Sequence, residues 1–214
     1  MLKSTGGLQT DCSRKAAFAN VDWIDIGGGL GIGLDLNALR DTLMPVSVLL
    51  SQHVTPPVAM RMEPGRFVVA DAGVLVTRVT QIRRKAGRVF VGVATGMNSL
   101  IRPALYSATH RIHNLSKLAA KSGVFMTEEE EQTDIMLCDD VERGMHNGDD
   151  MLCDVVGPIC ESADVLGSDR TLPSTTSPGD VLLIEHGGAY GHCMSSHYNL
   201  RQPALEVTMD SSIV

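Results

Sequence analysis

The sequence predicts a short α/β segment joined to an all-β domain. In the first part, a strand at residues 21–26 leads through a glycine-rich loop into a helix, and a second strand follows at residues 58–62. Strand, loop, helix and strand in this order form the repeating unit of α/β proteins. After Arg66, runs of β-branched residues alternate with turn residues, the pattern of an antiparallel sheet. We therefore expect an α/β domain at residues 1–66 and a β domain at residues 67–214.

Each element of the α/β segment has its own local signal. The run at 21–26 is short and mostly apolar, and glycines follow it, so it predicts a buried strand. Asp35 has the side chain of a good N-cap, and the helix that it starts extends to about Gln52. Pro56 and Pro57 end this unit of the chain. The apolar residues of the helix share one face and are Leu36, Leu39, Leu43, Val46 and Leu50.

The β domain is predicted from several β-branched runs and is interrupted once. Residues 116–154 are rich in acids and turn residues, and we interpret them as an exposed, disordered insertion. The part at 127–154 has a net charge of −10, against −7 for the whole chain, so the remaining residues carry +3. The predicted strands lie at residues 67–69, 73–83, 89–94, 155–156 and 180–184.

Composition argues against several classes of protein. No apolar run approaches the roughly 18–20 residues that a membrane span needs, and the residues before Ala16 lack the apolar core of a secretory signal. Five cysteines without CxxC spacing argue against a disulfide framework or a zinc site and favour a reducing compartment. The +3 excess outside the acidic segment suits an anionic small molecule, but it is too weak to indicate nucleic-acid binding. The seven histidines show no metal-ligand spacing.

Five short motifs indicate an anion-binding site. A strand that ends in a glycine loop leaves backbone N–H groups that a phosphate can approach closely, although the same glycines could form only a tight turn. Arginines in two of the motifs can each hold a phosphate or a carboxylate through paired hydrogen bonds. The motifs are IDIGGGLG at 24–31, EPGR at 63–66, RPALY at 102–106, GPICES at 157–162 and GGAYG at 187–191.

Residues within these motifs have candidate roles, each with a plain structural alternative. Glu63 follows a predicted strand and can pair with a protonated ring nitrogen, or it can form a surface pair with Arg66. Arg102 and Tyr106 lie four residues apart on a turn or short helix, so they can bind a carboxylate together or stack on each other. Cys160 can move a proton if a cationic ligand lies beside it, or it can simply be buried.

Taken together, the motifs resemble those of the pyridoxal-phosphate-dependent decarboxylases of the alanine-racemase-like fold, and among them the diaminopimelate decarboxylases. The resemblance extends from about residue 21 to residue 207 and leaves out the acidic insertion. The stretches at 91–106 and 154–167 are similar to the decarboxylase part of bifunctional aspartate kinase–decarboxylase proteins. This resemblance implies the last βα units of a cofactor-binding TIM-like barrel, followed by a C-terminal antiparallel β-barrel or sandwich.

The resemblance also implies an activity and a set of roles. The reaction would be the pyridoxal-phosphate-dependent decarboxylation of meso-2,6-diaminopimelate to L-lysine and CO2, in a homodimer with shared active sites. Its place would be the cytoplasm, or a plastid if the source is a plant or alga. Cys160 would protonate the carbanion left after CO2 departs, and Glu161 would bind the distal amino group. The implied cofactor-binding residues are Gly28, Gly29, Glu63, Pro64, Gly65, Arg66 and Tyr190. The implied substrate-binding residues are Arg66, Arg102, Tyr106, Glu161 and Tyr190.

Alternatives stay open on the sequence alone. Ornithine-type enzymes of the family usually have Asp after the cysteine, whereas this chain has Glu161, and the arginines at 66 and 102 suit a substrate with a second carboxylate. Diaminopimelate is therefore favoured over an ornithine- or arginine-type substrate. None of the five lysines matches the family's Schiff-base lysine, so the isolated chain is expected to be an inactive C-terminal fragment. The alternative from another class is a non-catalytic subunit or regulator that dimerises with an active relative.

Overall fold

Two units make up the chain, Met1–Val68 and Val69–Val214. The computed structural model describes residues 21–53, 58–122 and 150–209. In these parts of the chain, the first unit combines strands with a long helix, and the second is a curved β-sheet with short helices at its edges.

The first unit contains the predicted order of strand, loop, helix and strand. β1 (Trp23–Asp25) pairs in parallel with β2 (Ala59–Arg61), and α1 (Leu36–His53) lies between them in the chain. Asp35 caps α1 as predicted, because its Oδ1 accepts a hydrogen bond from the backbone N–H of Asn37 at 2.9 Å. The two parallel strands therefore end at the same edge of their small sheet.

Burial in the first unit differs from the prediction. Trp23 of β1 is 46% exposed, and none of the described residues between 21 and 68 is buried. A sheet of two short strands is too small to cover its own apolar side chains. The predicted apolar face of α1 is only partly covered. Leu36 and Val46 are exposed, and Leu39, Leu43 and Leu50 are half-buried.

Residues 67–69 are helical, whereas the sequence predicted a strand. α2 (Gly65–Val69) begins directly after Pro64, whose carbonyl accepts a hydrogen bond from the Val68 N–H at 3.1 Å. The fixed φ of proline suits the start of a helix, and here it outweighs the strand preference of β-branched side chains. A 3-10 turn at Ala70–Ala72 follows.

The second unit is built on one six-stranded sheet. Its strands are β3 (Leu75–Lys85), β4 (Arg88–Val93), β5 (Ile112–Asn114), β6 (Asp150–Val156), β7 (Val165–Pro173) and β8 (Val181–Ile184). Across the sheet the order is β5, β8, β3, β4, β6, β7. The sheet curls until its two outer strands meet, with the Ile112 side chain of β5 against Gly167 of β7. The result is a nearly closed barrel.

The sheet is mixed, so the prediction of an antiparallel domain is wrong at one pair of strands. β4 and β6 run parallel, with Phe90 opposite Asp154, and the other pairs are antiparallel. The chain between Val93 and Asp150 is long enough to cross over and re-enter the sheet in the same direction. Because β3 is antiparallel to both β4 and β8, the strands β4, β6 and β8 all point the same way.

A single core fills the curved sheet, and alternating residues of each strand supply it. In β3, for example, Thr77 and Val79 are buried whereas Arg78 between them is exposed. The side chains of the core are Val79, Val91, Val93, Leu100, Ile112, Met151, Cys153, Val155, Leu166, Leu172, Leu182 and Ile184.

The sequence predicted a turn or short helix at RPALY, where a helix is found, but it missed two strands. α3 (Arg102–Tyr106) is the short helix expected there, with Pro103 in its first turn. β7 contains Gly167, Ser168 and Asp169, which disfavour strands, and its pairing with β6 holds it extended. β5 has only three residues, too few for a clear alternating pattern.

Both ends of the predicted insertion, residues 116–154, are regular structure. α4 (Leu115–Ser122) begins after Asn114, whose Oδ1 accepts a hydrogen bond from the Lys117 N–H at 3.1 Å. At the other end, β6 includes Asp154, which is buried. The structure therefore differs from the expectation there, because distant partners decide the fold of these acidic residues. The middle of the range, residues 123–149, lies outside the described residues.

Asp154 is held by a fork of hydrogen bonds. Arg88 donates from Nε to Asp154 Oδ2 at 2.9 Å and from a terminal nitrogen to Oδ1 at 2.8 Å. The Asp169 N–H adds a third bond to Oδ1 at 3.0 Å. The hydrogen bond from Arg88 keeps the pKa of Asp154 below its ordinary value, against the opposing effect of burial.

We expect this carboxylate to link stability to pH. A carboxyl with a lowered folded pKa stabilises the fold above its unfolded pKa, about 3.9, and that contribution is lost as the pH falls through the folded pKa. Asp154→Asn should therefore lower the free energy of unfolding by roughly 1–3 kcal/mol at about pH 7, and by much less at about pH 2. Urea denaturation followed by circular dichroism measures both. Asp169→Asn, at a side chain that is 64% exposed, is the control, and an equal loss for Asp154→Asn at both pH values would contradict the expectation.

Candidate functional site

In the first unit, the glycine loop follows β1 and is fixed by EPGR. The Asp25 carboxylate accepts a hydrogen bond from the Gly27 N–H at 2.7 Å, and the Gly27 carbonyl accepts one from the Glu63 N–H at 2.9 Å. A Cβ on Gly28 would lie 2.5 Å from the Glu63 carbonyl oxygen, so only glycine fits there. On Gly27 and Gly29, by contrast, a Cβ would meet no heavy atom within 4 Å. The loop is thus closed on one side and open on the other.

The EPGR side chains sit beside this loop. Glu63 is exposed and follows the carboxyl end of β2, where the ligand-binding groups of parallel α/β folds lie. Arg66 is half-buried, and its guanidinium donates to the Leu30 carbonyl at 3.5 Å. The structure therefore brings Gly28, Glu63 and Arg66 together within the first unit.

In the second unit, Arg102 is stacked between two tyrosines. Only 8% of the residue is exposed, and its guanidinium carbon lies 5.7 Å from the ring centre of Tyr106 and 5.3 Å from that of Tyr190. No ion pair joins Arg102 to any carboxylate in the parts of the chain that the structure describes. Buried charges are normally paired, so this guanidinium is suited to an anionic ligand. The structure thus shows the stacking alternative offered for Arg102 and Tyr106, and Tyr190 is a second ring partner that the sequence did not indicate.

The loop that carries Tyr190 is tightly held. Tyr190 has a φ of 59° and His186 a φ of 58°. Residues other than glycine adopt such positive φ values only when their surroundings require it. The Gly188 N–H donates to the carbonyls of Ala70 and Gly73, each at 3.1 Å. A Cβ on Gly188 would collide with the Val69 carbonyl. His186 adds a side-chain contact of 2.6 Å to Asp71 Oδ1.

Cys160 and Glu161 lie on the turn between β6 and β7, and both are exposed. Glu161 Oε1 accepts hydrogen bonds from Ser162, from Oγ at 3.1 Å and from the backbone N–H at 2.8 Å. The Tyr198 hydroxyl donates to the other oxygen at 3.3 Å. The Ser162 hydrogen bonds, and then that of Tyr198, lower the pKa of Glu161, so it stays charged at neutral pH and can attract an ammonium group.

The other cysteines are distinguishable from Cys160. Burial raises the pKa of the Cys153 thiol to about 11, so it is unreactive. Cys193 is exposed and free. Cys12 and Cys138 lie outside the described residues.

The three turns of the second unit that carry motif residues all follow strands that point the same way. The chain leaves β4 toward Arg102, leaves β6 toward Cys160, and leaves β8 toward Tyr190. Parallel strands end at the same edge of a sheet, so these three turns share one edge. Sequence reasoning missed Tyr198, His186 and Asp71, because none of them lies within a motif.

Within the described residues, no group of histidine, cysteine or acidic side chains has the arrangement of a metal site. No helix found there is long and apolar enough to cross a bilayer.

Comparison with known proteins connects this geometry to a family. The model of the family described as "Pyridoxal-dependent decarboxylase, C-terminal sheet domain" matches residues 66–188. Diaminopimelate decarboxylase of Campylobacter jejuni is 35% identical over 94% of this chain and 42% of its own length. That of Neisseria meningitidis is 36% identical over 90% of this chain and 39% of its own length.

A solved structure agrees with the sequence matches. Diaminopimelate decarboxylase of Helicobacter pylori, complexed with L-lysine, has a TM-score of 0.61 and 31% identity, and the match covers 88% of this chain and 40% of that structure. The chain thus spans about two fifths of the length of these relatives. The matches cover the nearly closed sheet together with the motifs at Arg66, Arg102 and Cys160. The chain belongs to the pyridoxal-dependent decarboxylases and contains their C-terminal sheet domain.

Proposed function

We propose that this chain supplies the carboxy-terminal share of a decarboxylase that uses pyridoxal phosphate to convert meso-diaminopimelate into L-lysine and CO2. The observation that carries the proposal is the buried Arg102, stacked between Tyr106 and Tyr190 without a carboxylate partner among the described residues. The family supplies the reaction type, and the relatives named diaminopimelate decarboxylase supply the substrate. We also propose that residues 1–66 form the last part of a cofactor-binding barrel and residues 67–214 the β domain.

The residues of the first unit fit pyridoxal phosphate. Gly28 and Gly29 lie on a loop with one open side, which a phosphate can approach through backbone N–H groups. Glu63, in the EPGR motif with Pro64 and Gly65, has an exposed carboxylate that can keep a ring nitrogen protonated. When bound, pyridoxal phosphate supplies an electron-withdrawing ring that accepts the electron pair released by the departing carboxylate. We assign the covalent lysine of the family to no residue of this chain.

Substrate carboxylates are assigned to the arginines. The planar guanidinium of Arg102 can hold a carboxylate through two hydrogen bonds, and the two tyrosine rings fix its orientation. Tyr106 and Tyr190 are 59% and 45% exposed, so their hydroxyls are free to face the ligand. We give Arg66 the same function toward a carboxylate or the cofactor. Diaminopimelate has two carboxylates, whereas ornithine has one.

The distal amino group and the proton are assigned to the GPICES turn. Glu161 is exposed and charged at neutral pH, so it can bind an ammonium group. Cys160 is an exposed free thiol and can give a proton to the carbon that has lost CO2. Because both residues are exposed, we propose that they serve the site of a second copy in a homodimer. Exposed free thiols suit the reducing cytoplasm as the place of action.

The proposal is tested with a chimera in which this chain replaces the matching C-terminal part of the Campylobacter jejuni relative. We expect the chimera to release CO2 from meso-diaminopimelate. For ornithine, kcat/KM should be at least roughly a hundredfold lower, because ornithine has no second carboxylate and would leave the buried Arg102 without a partner. Cys160→Ala should lower kcat by about 10²–10⁴ with little change in KM. Cys193→Ala is the matched control. A folded chimera that binds pyridoxal phosphate but has no decarboxylase activity would contradict the proposal and favour a non-catalytic subunit.

Arg102 can be tested in the same chimera. Arg102→Lys keeps the charge but loses the planar fork and its stacking, so KM for meso-diaminopimelate should rise by about 10–100-fold, as expected when a hydrogen bond to a charged group is lost. Arg84→Lys, on the exposed part of β3, should leave KM unchanged. Initial rates over a range of substrate concentrations give both values, and an unchanged KM for Arg102→Lys would remove the carboxylate role.

Shared active sites predict complementation between inactive subunits. Chimeras with Cys160→Ala and with Glu63→Gln should each be nearly inactive. When they are unfolded together and refolded as mixed dimers, about a quarter of the wild-type activity should return, because half the dimers are mixed and each contains one intact site. The Cys160→Ala and Cys193→Ala pair should show no such gain over its average. Additive activity for the first pair would show that each site lies within one subunit.

A further inference from the structure

We propose that Asp164 is a positioning residue that ties the turn carrying Cys160 and Glu161 to the turn that leads into Arg102. The roles of those three residues rest on the proposed function, whereas the tie itself is a matter of geometry. Asp164 lies at the end of the GPICES turn, just before β7. It is not one of the motif residues singled out from the sequence.

Its carboxylate bridges two loops. Oδ1 accepts a hydrogen bond from the Met97 N–H at 2.6 Å, and Oδ2 accepts one from the Ile159 N–H at 2.6 Å. Met97 follows β4, and Ile159 follows β6. Asp164 is only 3% exposed, and no ion pair to it occurs in the described ranges. The two N–H groups are therefore the groups that stabilise this buried charge.

The Asp164 backbone closes the turn as well. Its carbonyl accepts a hydrogen bond from the Gly157 N–H at 3.0 Å, and its own N–H donates to the Glu161 carbonyl at 3.1 Å. Three residues of this turn, Gly157, Ile159 and Glu161, are thus hydrogen-bonded to Asp164. An exposed thiol and an exposed carboxylate acquire a fixed position in this way.

Two glycines leave room for the carboxylate. A Cβ on Gly96 or on Gly157 would collide with both oxygens of Asp164, and a Cβ on Gly157 would also lie 2.5 Å from the Gly96 Cα. Neither glycine has a positive φ, so close approach rather than backbone conformation requires them. The two loops are packed around the carboxylate.

The tie reaches Arg102 through a short hydrogen-bonded turn. The Gly96 carbonyl accepts from the N–H groups of Ser99 and Leu100, at 2.9 and 3.1 Å. Leu100 is buried in the core, and α3 begins two residues later with Arg102. Asp164 therefore links the turn after β6, which carries Cys160 and Glu161, to the segment after β4 that leads into Arg102.

Asparagine cannot replace this carboxylate. An amide offers one acceptor oxygen and an NH2 group that only donates, so either the part-buried Met97 N–H or the buried Ile159 N–H would face another donor. The matched control is Asp169→Asn, the same change on the exposed part of β7, where Asp169 contacts Arg88 and neither loop.

The first measurement is amide hydrogen exchange by NMR in the full chain. In Asp164→Asn, exchange of the Met97 and Ile159 amides should accelerate by about tenfold or more, while the amides of Val79 and Val91 in the core keep their rates. Alkylation by iodoacetamide, resolved by mass spectrometry, should show a changed ratio of Cys160 to Cys193 labelling. Asp169→Asn should change neither. Unchanged exchange at Met97 and Ile159 together with an unchanged labelling ratio would overturn the proposal.

Labelling of Cys153 would reveal an unfolded variant, because this thiol is buried in the native chain. If the variant is unfolded, NMR spectra of the wild-type chain test the hydrogen bonds of Asp164 instead. The amide protons of Met97 and Ile159 should resonate downfield of the neighbouring loop amides, as expected for short hydrogen bonds to a charged acceptor. Ordinary shifts for both would overturn the tie.

A measurement of kcat distinguishes a positioning role of Asp164 from a general effect on stability. In the chimera, Asp164→Asn should lower kcat by about tenfold or more while cofactor absorbance is unchanged. An unchanged kcat would overturn the positioning role. An inactive wild-type chimera would contradict the proposed decarboxylase instead, and the exchange and labelling results would still decide the role of Asp164.

Discussion

The parallel pairing of β4 with β6 is the constraint on which the second unit depends. It places the chain after β4 and the chain after β6 at the same edge of the sheet, and the direction of β8 adds a third turn there. Had β6 run antiparallel to β4, the turn with Cys160 would lie at the opposite edge from Arg102. A nonlocal strand pairing, rather than any motif, therefore decides which of the motif side chains lie at the same edge of the sheet.

The placement of the charged groups at this edge follows from the free-energy cost of removing a charge from water. Arg102 is buried and stacked on aromatic rings, where a guanidinium tolerates partial loss of water better than an ammonium does. Glu161 is exposed, and hydrogen bonds from Ser162 and Tyr198 favour its charged form. Asp164 is buried, and backbone N–H groups stabilise it. Glu161 is thus hydrated and Asp164 is stabilised by fixed dipoles, whereas Arg102 has no carboxylate partner among the described residues, and we have proposed that a ligand supplies one.

The sequence predicted those features that neighbouring residues determine. Asp35 caps α1 through a bond to Asn37, and the short helix at RPALY forms where Pro103 permits it. The strands β3 and β4 follow from their β-branched residues. The five motifs also contained the residues that the structure groups around Gly28 and around Arg102. Within each cap, helix, strand and motif the information lies within a few residues of the chain, whereas the grouping of one motif with another depends on the fold.

The features that the sequence did not predict depend on distant partners. The direction of β6 is set by a strand more than fifty residues away, and β7 is extended in spite of Gly167 and Ser168 because β6 pairs with it. The burial of Asp154 depends on Arg88. The local sequence shows Asp164 only as an acidic residue in a turn. Its second hydrogen bond depends on Met97, which lies far away in the sequence. Because the prediction rested on acidic composition alone, it extended the exposed insertion into residues that belong to α4 and β6.

The exposed apolar residues of the first unit are consistent with the barrel of which we propose residues 1–66 to be the last part. Trp23, Leu36 and Val48 are 46%, 60% and 46% exposed, and a two-stranded sheet has no second layer with which to cover them. The relatives are more than twice as long as the matched region, and a parallel strand pair flanked by a helix is the repeating unit of a closed barrel. If further units of that kind pack on both sides, the side chains of β1 and α1 become interior. The same closure would also surround the open side of the Gly27–Gly29 loop, which a phosphate site needs in order to exclude water from a bound anion.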